Sequence, residues 1–486
     1  MKRYITYIAG ITAAIMATSC MAFLQEDPKT FSSPENYYTN ISEVESATNG
    51  CYAALGVNFR GLVAPGCNAW VMLDQLVGNS FRTLPGSAED IGISLPVKET
   101  NSLIEYLWSD QYISIENCNS AIENITKCEN VSEAEKAPYL GEIYFLRAYY
   151  YFNLVRQFGP VPYKVTPTAG VAGADLPCDS EADIYAGIVE DLKSAEKYLD
   201  GESWTNGIGR VRKGAVKSLL AKVYLTMAGY PLQKSECYKL AYEKALEVYN
   251  SKAYSLASDY DALRSQENSG EVVFSYQRAD IDGYRSGLHQ ACLPFNEGVD
   301  IDGAEFGGTI LPMAEFYASF DENDLRKQKF FYTECKGVTL KNVHIYKYWD
   351  AAAESSASHS GKDFNHIRYA DVLLTLAEAK VMADGGNTTD ASALDAFNQI
   401  RKRAGLAGES SLNFDTVFKE RVYELCYESQ TWYDMLRTRK AFRPVGAQVV
   451  DMIGYQALSH NKAFSAEDLY FPYPVRETRL NANLTR

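Results

Sequence analysis

The sequence lacks the residue patterns that hold metal ions. It has only five histidines in 486 residues, and none of them forms an H-E-x-x-H pair. Its ten cysteines include no C-x-x-C pair. A stretch that begins like a calcium loop, Asp280-x-Asp282-Gly283, lacks the third acid and the terminal glutamate. We therefore predict no metal site and no cofactor.

The sequence also has fewer basic residues than acidic ones. The chain has 47 lysines and arginines against 62 aspartates and glutamates, which gives a net charge of -15 and a pI near 5.0. An acidic surface repels a phosphate backbone, so this balance argues against a nucleic-acid-binding protein.

Signatures of catalysis are weak. Gly283-Tyr284-Arg285-Ser286-Gly287 places its serine one position too late for the G-x-S-x-G nucleophile elbow. A glycosidase needs only two carboxylates, and with 62 acidic residues the chain has many candidates. Our prediction is a protein that is not an enzyme, with a glycoside hydrolase as a remote alternative.

The apolar run at the start of the chain, Ile5–Ala17, is too short to cross a bilayer stably. Lys2 and Arg3 precede it, and Ala17-Thr18-Ser19-Cys20 follows it in the manner of a bacterial lipoprotein cleavage box. Ala17 stands where such boxes usually have leucine. We predict a lipid on Cys20, with simple cleavage and release as the alternative. The nine other cysteines, an odd number, are predicted to be mostly buried free thiols.

Tyrosine is as abundant as tryptophan is scarce, with 35 residues against five. The stretch Tyr139–Pro162 concentrates this excess in a helical pattern. Its apolar face is marked at three- and four-residue steps by Phe145, Ala148, Phe152 and Val155, and is widened by Tyr144, Tyr149, Tyr150 and Tyr151. Gly159-Pro160 ends the pattern. We predict a core helix with other helices packed around it.

Helical patterns recur on both sides of this stretch. They cover residues 34 or 41 to 52, 69–77, 103–127, 182–199, 213–227, 235–249, 369–382, 391–403 and 415–433. In the third of them, the apolar positions are Leu107, Ile113, Ala121 and Ile125. Paired helices with short joins are typical of tetratricopeptide-like arrays. Leu140-Gly141-x-x-Tyr144 matches half of that repeat motif, but Ala148-x-x-x-Phe152 follows too soon in the same helix, so we predict degenerate repeats.

Two irregular segments interrupt the helices. Residues 78–100 are rich in Gly, Ser, Pro and Asp, and residues 271–315 open with a strand at 272–276 and then become rich in Gly and Asp. Short strands are predicted at 329–333 and 343–349, and the tail 469–486 is predicted to lie extended over the helices. The predicted fold class is mostly α, with degenerate tetratricopeptide-like helix pairs that support an irregular half with a few short strands. Loops on such a rigid frame commonly carry binding groups.

Short motifs occur in order from residue 20 to residue 484. They are the Cys20 box, Phe23-Leu24, Glu26-Asp27-Pro28, Ser33-Pro34-Glu35-Asn36-Tyr37-Tyr38-Thr39, Glu45, Asn49-Gly50-x-Tyr52, Arg147-Ala148-Tyr149, Phe158-Gly159-Pro160-Val161-Pro162, Arg368-Tyr369-Ala370-Asp371-Val372-Leu373-Leu374, Ala377-Glu378-Ala379, Asn398, Ile400-Arg401-Lys402-Arg403-Ala404-Gly405, Glu420-Arg421, Glu424, Glu428, Asp434, Leu436-Arg437, Tyr473-Pro474, Glu477 and Asn481-x-Asn483-Leu484. In kind and spacing they resemble the SusD/RagB family of Bacteroidetes outer-membrane lipoproteins. Ala482 departs from the family pattern, which usually has proline there.

The resemblance implies a non-catalytic surface protein that captures glycans and passes them to a SusC-like TonB-dependent outer-membrane transporter. It implies anchoring to the outer membrane by lipid alone, facing the cell exterior. A peptide-binding RagB-like protein stays open as an alternative. The implied organisation is a signal peptide over residues 1–19, a lipidated leader over 20–34, a helical region over 35–270, and a C-terminal region over 271–486 with a variable insert at 278–312.

Glycan capture needs aromatic faces for the C–H side of a sugar ring and planar polar groups for its hydroxyls. The two irregular segments supply both kinds of residue, and His289 and Glu297 also lie in the second. From location and chemistry we predict ligand contacts at Asn79, Arg82, Asp90, Asn101, Tyr284, Arg285, Phe295, Asn296 and Phe306. Trp108 and Trp349 are predicted to be packing residues.

Overall fold

The fold is described from a computed structural model. It describes residues 37–52, 55–56, 69–82, 95–170, 175–205, 209–267, 269–281, 285–302, 307–354 and 360–485. The predicted signal peptide, Cys20, Asp90, Tyr284 and Phe306 lie outside these residues.

Seven helices make up the first half of the described chain. They are α1 Ile41–Cys51, α2 Ala69–Leu76, α3 Ser102–Lys127, α4 Glu133–Phe158, α5 Glu181–Tyr198, α6 Lys213–Ala228 and α7 Cys237–Ser251. From α3 to α7, each helix packs against the next along the chain. The predicted array of degenerate tetratricopeptide-like helix pairs is confirmed.

Helix α4 is the core helix that the tyrosine excess predicts, but it begins six residues earlier than Tyr139. Ser132 and Glu135 form a capping box, so the first turn starts at Glu133. Gly159 ends the helix in a left-handed conformation, with φ of 72°. The buried tyrosines of α4 each direct a hydroxyl to a partner, namely Tyr149 to His366, Tyr150 to the Cys51 carbonyl and Tyr151 to the Lys164 carbonyl.

One glycine of α4 explains how closely its neighbour packs. A Cβ at Gly141 would lie 2.6 Å from Cγ of Leu199, the residue that caps α5. Any side chain at this position would push α5 away from α4. The Leu140-Gly141-x-x-Tyr144 half-motif therefore marks a real close contact between helices.

The second half of the chain mixes helices with short strands. Its helices are α8 Tyr260–Ser265, α9 Leu288–Ala291, α10 Ala314–Ala318, α11 Arg326–Lys329, α12 Tyr369–Ala383, α13 Ala391–Arg403, α14 Phe414–Glu424, α15 Thr431–Thr438 and α16 Val475–Leu480. The strands of the chain are β1 Ser80–Phe81, β2 Val272–Tyr276, β3 Leu311–Pro312, β4 Phe331–Cys335, β5 Val338–Ile345, β6 Phe364–Arg368, β7 Asn387–Thr388, β8 Leu412–Asn413, β9 Lys440–Arg443 and β10 Gln448–Asp451. They form antiparallel pairs: β1–β3, β2–β6, β4–β5, β7–β8 and β9–β10.

Two predictions about helices were wrong. The pattern over 415–433 is two helices, because Tyr427 and Ser429 take left-handed conformations between α14 and α15. The tail contains the short helix α16 and is otherwise extended over the helices, with the Phe471 N–H donating to the Gln157 carbonyl at 2.7 Å. Ile113 does not share the buried face of α3, since six positions from Leu107 turn it well away, and it is 59% exposed.

Nearly all buried apolar residues of the described chain join one core, which runs from Val44 to Leu484 and so includes both halves. Trp108 and Trp349 are buried, as predicted for packing residues. The eight cysteines within the described residues are free thiols, and seven of them are buried. Within the same residues, no helix is both long and apolar enough to cross a membrane.

A buried network of ion pairs joins motif residues of the C-terminal half to Glu271, Arg326 and Lys347. Arg368 bonds both oxygens of Glu428, at 2.7 and 2.8 Å, and also reaches Glu424 and Glu271. A second group joins Arg421 to Asp371 and Asp434. The remaining members are Arg326, Lys347, Glu378, Arg403, Glu420 and Arg437. These motif residues therefore hold the frame together.

Candidate functional site

The two segments predicted to bind ligand meet in a two-stranded ladder. Strand β1 opens the first segment and pairs antiparallel with β3 at the end of the second, with Ser80 opposite Pro312 and Phe81 opposite Leu311. The Met313 N–H extends the contact by donating to the Asn79 carbonyl at 2.9 Å. The fold thus brings together two strands that lie more than 200 residues apart in the sequence.

Asn79 lies at the base of this junction with its side chain almost fully buried, at 4% exposure. Neither the nitrogen nor the oxygen of its side-chain amide has a hydrogen-bond partner among the described residues. This amide is therefore an unsatisfied donor and acceptor beside the ladder. Leaving a buried polar group unpaired lowers the stability of a protein by about 1–3 kcal/mol. Arg82 follows β1 and is half-buried.

Asn101, at the other end of the first segment, has a structural task. Its side-chain oxygen accepts a hydrogen bond from the Leu103 N–H at 2.7 Å and caps helix α3. Such a cap contributes about 1 kcal/mol to stability. Any contact of Asn101 with a ligand would therefore have to coexist with the cap.

The start of the second segment is anchored by Asp363, on the loop before β6. Its carboxylate accepts from the Arg278 N–H at 2.6 Å and from the Gln277 amide at 2.7 Å. Burial raises the pKa of Asp363 to about 7, although the hydrogen bond from Arg278 opposes the rise. Beyond the anchor, half-buried Arg285 pairs with exposed Asp280 at 2.7 Å.

The middle of the second segment offers one aromatic and one amide side chain at the surface. Phe295 is half-buried, and Asn296 is exposed with a left-handed backbone, φ 56°. The segment is held from below by a small separate core of Leu293, Ile301, Cys335, Leu340 and Trp349.

Glu297 and His289 belong to that support. The buried Glu297 carboxylate accepts from the Lys341 N–H at 2.6 Å and from the Asn342 amide at 2.8 Å, which ties the segment to β5. His289 is fully buried, accepts from the Asp350 N–H at 3.1 Å and meets the edge of Trp349. Burial lowers the pKa of His289, so it is neutral at pH 7. Their surroundings make both residues parts of the frame.

The structure contains a concavity that the sequence does not predict. A cleft of about 510 Å³ lies between α3, the chain at 162–168 and 175–176, and α16. Ile113, one of the apolar positions in the helical pattern over 103–127, lines this cleft. The position of Ile113 around the helix could have revealed this cleft. Ile113 lies outside the stripe that its apolar neighbours form.

The chain is similar to known proteins over most of its length. The SusD family model matches residues 318–486, and a model described as starch-binding associating with outer membrane matches residues 91–225. A SusD superfamily protein of known structure from Parabacteroides distasonis is 34% identical, with a TM-score of 0.84 over 91% of this chain and 98% of the other.

Two further relatives extend the comparison. SusD-like protein P2 of Formosa agariphila is 26% identical over 100% of this chain and 99% of its own length. Surface glycan-binding protein A from Bacteroides uniformis is 19% identical, with a TM-score of 0.75 over 92% of this chain and 99% of that one. At this low identity the latter similarity establishes a shared fold.

Proposed function

The chain belongs to the SusD family, and from this premise we propose that it captures glycans at the cell surface, without cleaving them, and delivers them to a SusC-like TonB-dependent transporter. The observation that carries the proposal is the β1–β3 ladder, which joins both candidate segments on a rigid helical frame. The starch-binding description of the model that matches residues 91–225, and the glycan-binding name of the Bacteroides uniformis relative, support the ligand class.

The proposed site holds a sugar by two kinds of contact. Aromatic side chains cover the apolar face of the ring, and arginine, asparagine and aspartate side chains exchange hydrogen bonds with its hydroxyls. The proposed contacts are Asn79, Arg82, Asp90, Asn101, Tyr284, Arg285, Phe295, Asn296 and Phe306. Asn79 supplies an unsatisfied amide at the base of the junction.

Capture without cleavage is consistent with the state of the carboxylates in the ion-pair network. Glu424, for example, is fully buried and bonded to Arg403 at 2.7 Å and to Arg368 at 3.2 Å. A carboxylate held in such pairs is not placed to give or take a proton from a substrate. The carboxylates of the network are therefore assigned to the frame and not to catalysis.

The site is tested by single substitutions measured by calorimetry. Arg82→Ala and Tyr284→Ala are each expected to weaken glycan binding roughly tenfold, because each removes one contact worth about 1–2 kcal/mol. Melting temperature should stay unchanged. Arg443→Ala and Tyr230→Ala, at exposed positions on other elements, are the matched controls and should bind normally. Equal affinity in all four variants and the parent would remove Arg82 and Tyr284 from the site.

The class of ligand is tested in parallel. The protein is applied to a glycan array that includes starch oligosaccharides and to a pool of peptides, and reducing-sugar release is assayed with each bound glycan. We expect binding to glycans with no release of reducing ends. Binding to peptides alone would replace the proposal with the RagB-like function, and release of reducing ends would identify a hydrolase.

The family description associates such proteins with the outer membrane, and we propose that a lipid on Cys20 provides the attachment. Acyl chains insert into one leaflet and hold a protein that does not itself cross the bilayer. Cys20→Ala is expected to move most of the protein from the membrane fraction to the soluble fraction. A Cys20→Ala protein that still sediments with outer membranes, in cells lacking the partner transporter, would contradict the lipid anchor.

A further inference from the structure

The cleft along α3 exposes apolar surface that the described residues leave uncovered. Ile113 of α3 and Leu480 of α16 both line it, with 59% and 63% of their surfaces exposed. They are two of the four most exposed large apolar side chains in the part of the chain that the structure describes. Exposed apolar surface concentrated in a concavity is typical of a docking site.

The walls of the cleft are fixed by hydrogen bonds. The Tyr112 hydroxyl donates to the Pro162 carbonyl and the Tyr151 hydroxyl to the Lys164 carbonyl, both at 2.8 Å. On the opposite side, the Asn481 amide donates to the Leu176 carbonyl at 2.8 Å. The cleft is therefore preformed, which lowers the entropic cost of binding a segment in it.

The chain enters the described fold at one end of this cleft. Tyr38, the second described residue, packs against the core with its side chain close to Ser120 of α3. Glu116, Ile113 and Ser109 precede Ser120 by four, seven and eleven positions, so they share its stripe on the helix. The stripe that receives Tyr38 thus continues into the cleft.

The segment just before Tyr37 has the length and the side chains to follow that stripe. Residues 21–36 can span about 50 Å when extended, whereas Ser120 and Ser109 are about 17 Å apart along the helix. The segment carries Phe23, Leu24 and Phe31 and the acidic pair Glu26-Asp27. The charged residues that line the cleft are Lys164, Arg476, Glu116, Asp175 and Glu477. Of the two cations, Arg476 is 60% exposed, and its contacts with Glu105 and Glu477 are loose at 3.7 and 3.9 Å, so it is placed to meet the acidic pair.

We propose that residues 21–36 of this chain dock in the cleft, with the Phe23, Leu24 and Phe31 side chains covering Ile113 and Leu480. The docking is independent of glycan binding and of the lipid. Where Cys20 carries the proposed lipid, docking removes most of the slack between the anchor and the folded body. The body is then held near the membrane with one face toward it.

The test uses the chain from residue 20 to residue 486 with Cys20→Ser, and follows trypsin cleavage after Lys29 by mass spectrometry. Docking protects this bond in the parent protein. Ile113→Asp and Leu480→Asp place a charge in the apolar cleft and are each expected to accelerate the cleavage roughly tenfold or more. Leu240→Asp is the matched control, because Leu240 is an exposed leucine of α7 that does not line the cleft; it should cleave like the parent.

Hydrogen exchange gives an independent readout. Deleting residues 21–33 is expected to accelerate amide exchange in 475–480 by about tenfold, while exchange in α12 stays the same. Equal cleavage rates in the parent and both cleft variants, or exchange at 475–480 that the deletion does not change, would overturn the proposal. Neither readout depends on glycan binding, so failure of the proposed function would not affect them.

Discussion

Arg368→Ala is expected to lower the free energy of unfolding by about 3–5 kcal/mol, because it removes one partner from a buried ion-pair network. The Arg368 side chain is 2% exposed and faces Glu271, Glu424 and Glu428. Without it, three buried carboxylates share the remaining cations. Denaturant unfolding followed by fluorescence would measure the loss.

Two variants make this result specific. Arg368→Lys keeps the charge but loses the planar fork that bonds both oxygens of Glu428, so an intermediate loss is expected. Lys440→Ala breaks an exposed pair with Asp451 and should cost less than about 1 kcal/mol. A loss for Arg368→Ala no larger than that for Lys440→Ala would contradict the structural role of the network.

Acid is expected to destabilise the protein steeply between about pH 4.3 and 2, through the same network. Burial alone would raise the pKa of Glu424, but Arg403, Arg368 and Arg326 outweigh it and lower the pKa to about 2. An unfolded glutamate has a pKa of about 4.3. Between these values the unfolded chain binds a proton that the folded chain does not, so stability falls as the pH falls. Glu424 alone accounts for about 3 kcal/mol of this loss.

The measurement is urea unfolding at several pH values from 5 to 3. The glutamine in Glu424→Gln cannot take up a proton, so the stability of this variant should depend less steeply on pH. The variant is expected to be less stable than the parent at pH 7. Asp74 has the opposite effect, because burial raises its pKa to about 8. Its contribution to stability therefore falls as the pH rises from about 4 to 8. Profiles of parent and Glu424→Gln that run parallel below pH 4.3 would contradict the prediction.

Local patterns in the sequence were enough to predict most helices. The apolar spacing over 103–127 gave a helix that the structure begins at Ser102, and the pattern over 391–403 matched its helix. Such patterns fail where tertiary contacts decide the backbone. Tyr427 and Ser429 take left-handed conformations between two helices, with Glu428 held by Arg368, and nothing in the residues from 415 to 433 announces this break.

The candidate site could also be predicted only in part from the sequence. Aromatic and planar polar residues in two irregular segments could be chosen by chemistry, but the two-residue ladder that brings the segments together has no signature in so short a stretch. Solvent exposure could not be predicted either. Asn79 was chosen as a loop residue and is almost fully buried, and Glu297 and His289 lie in a binding-like segment yet support it from within.

The ion-pair network also bears on how proteins of this kind could diversify. Most of its charges lie on α12, α14, α15 and the strand β6 or beside them, with Arg326 on α11 and Arg403 on α13. The pairs named above involve none of the proposed ligand contacts. Substitutions at the proposed ligand contacts can therefore accumulate while the buried ion pairs continue to stabilise the same fold. A frame of this kind allows the fold to be conserved independently of the residues proposed to contact ligand.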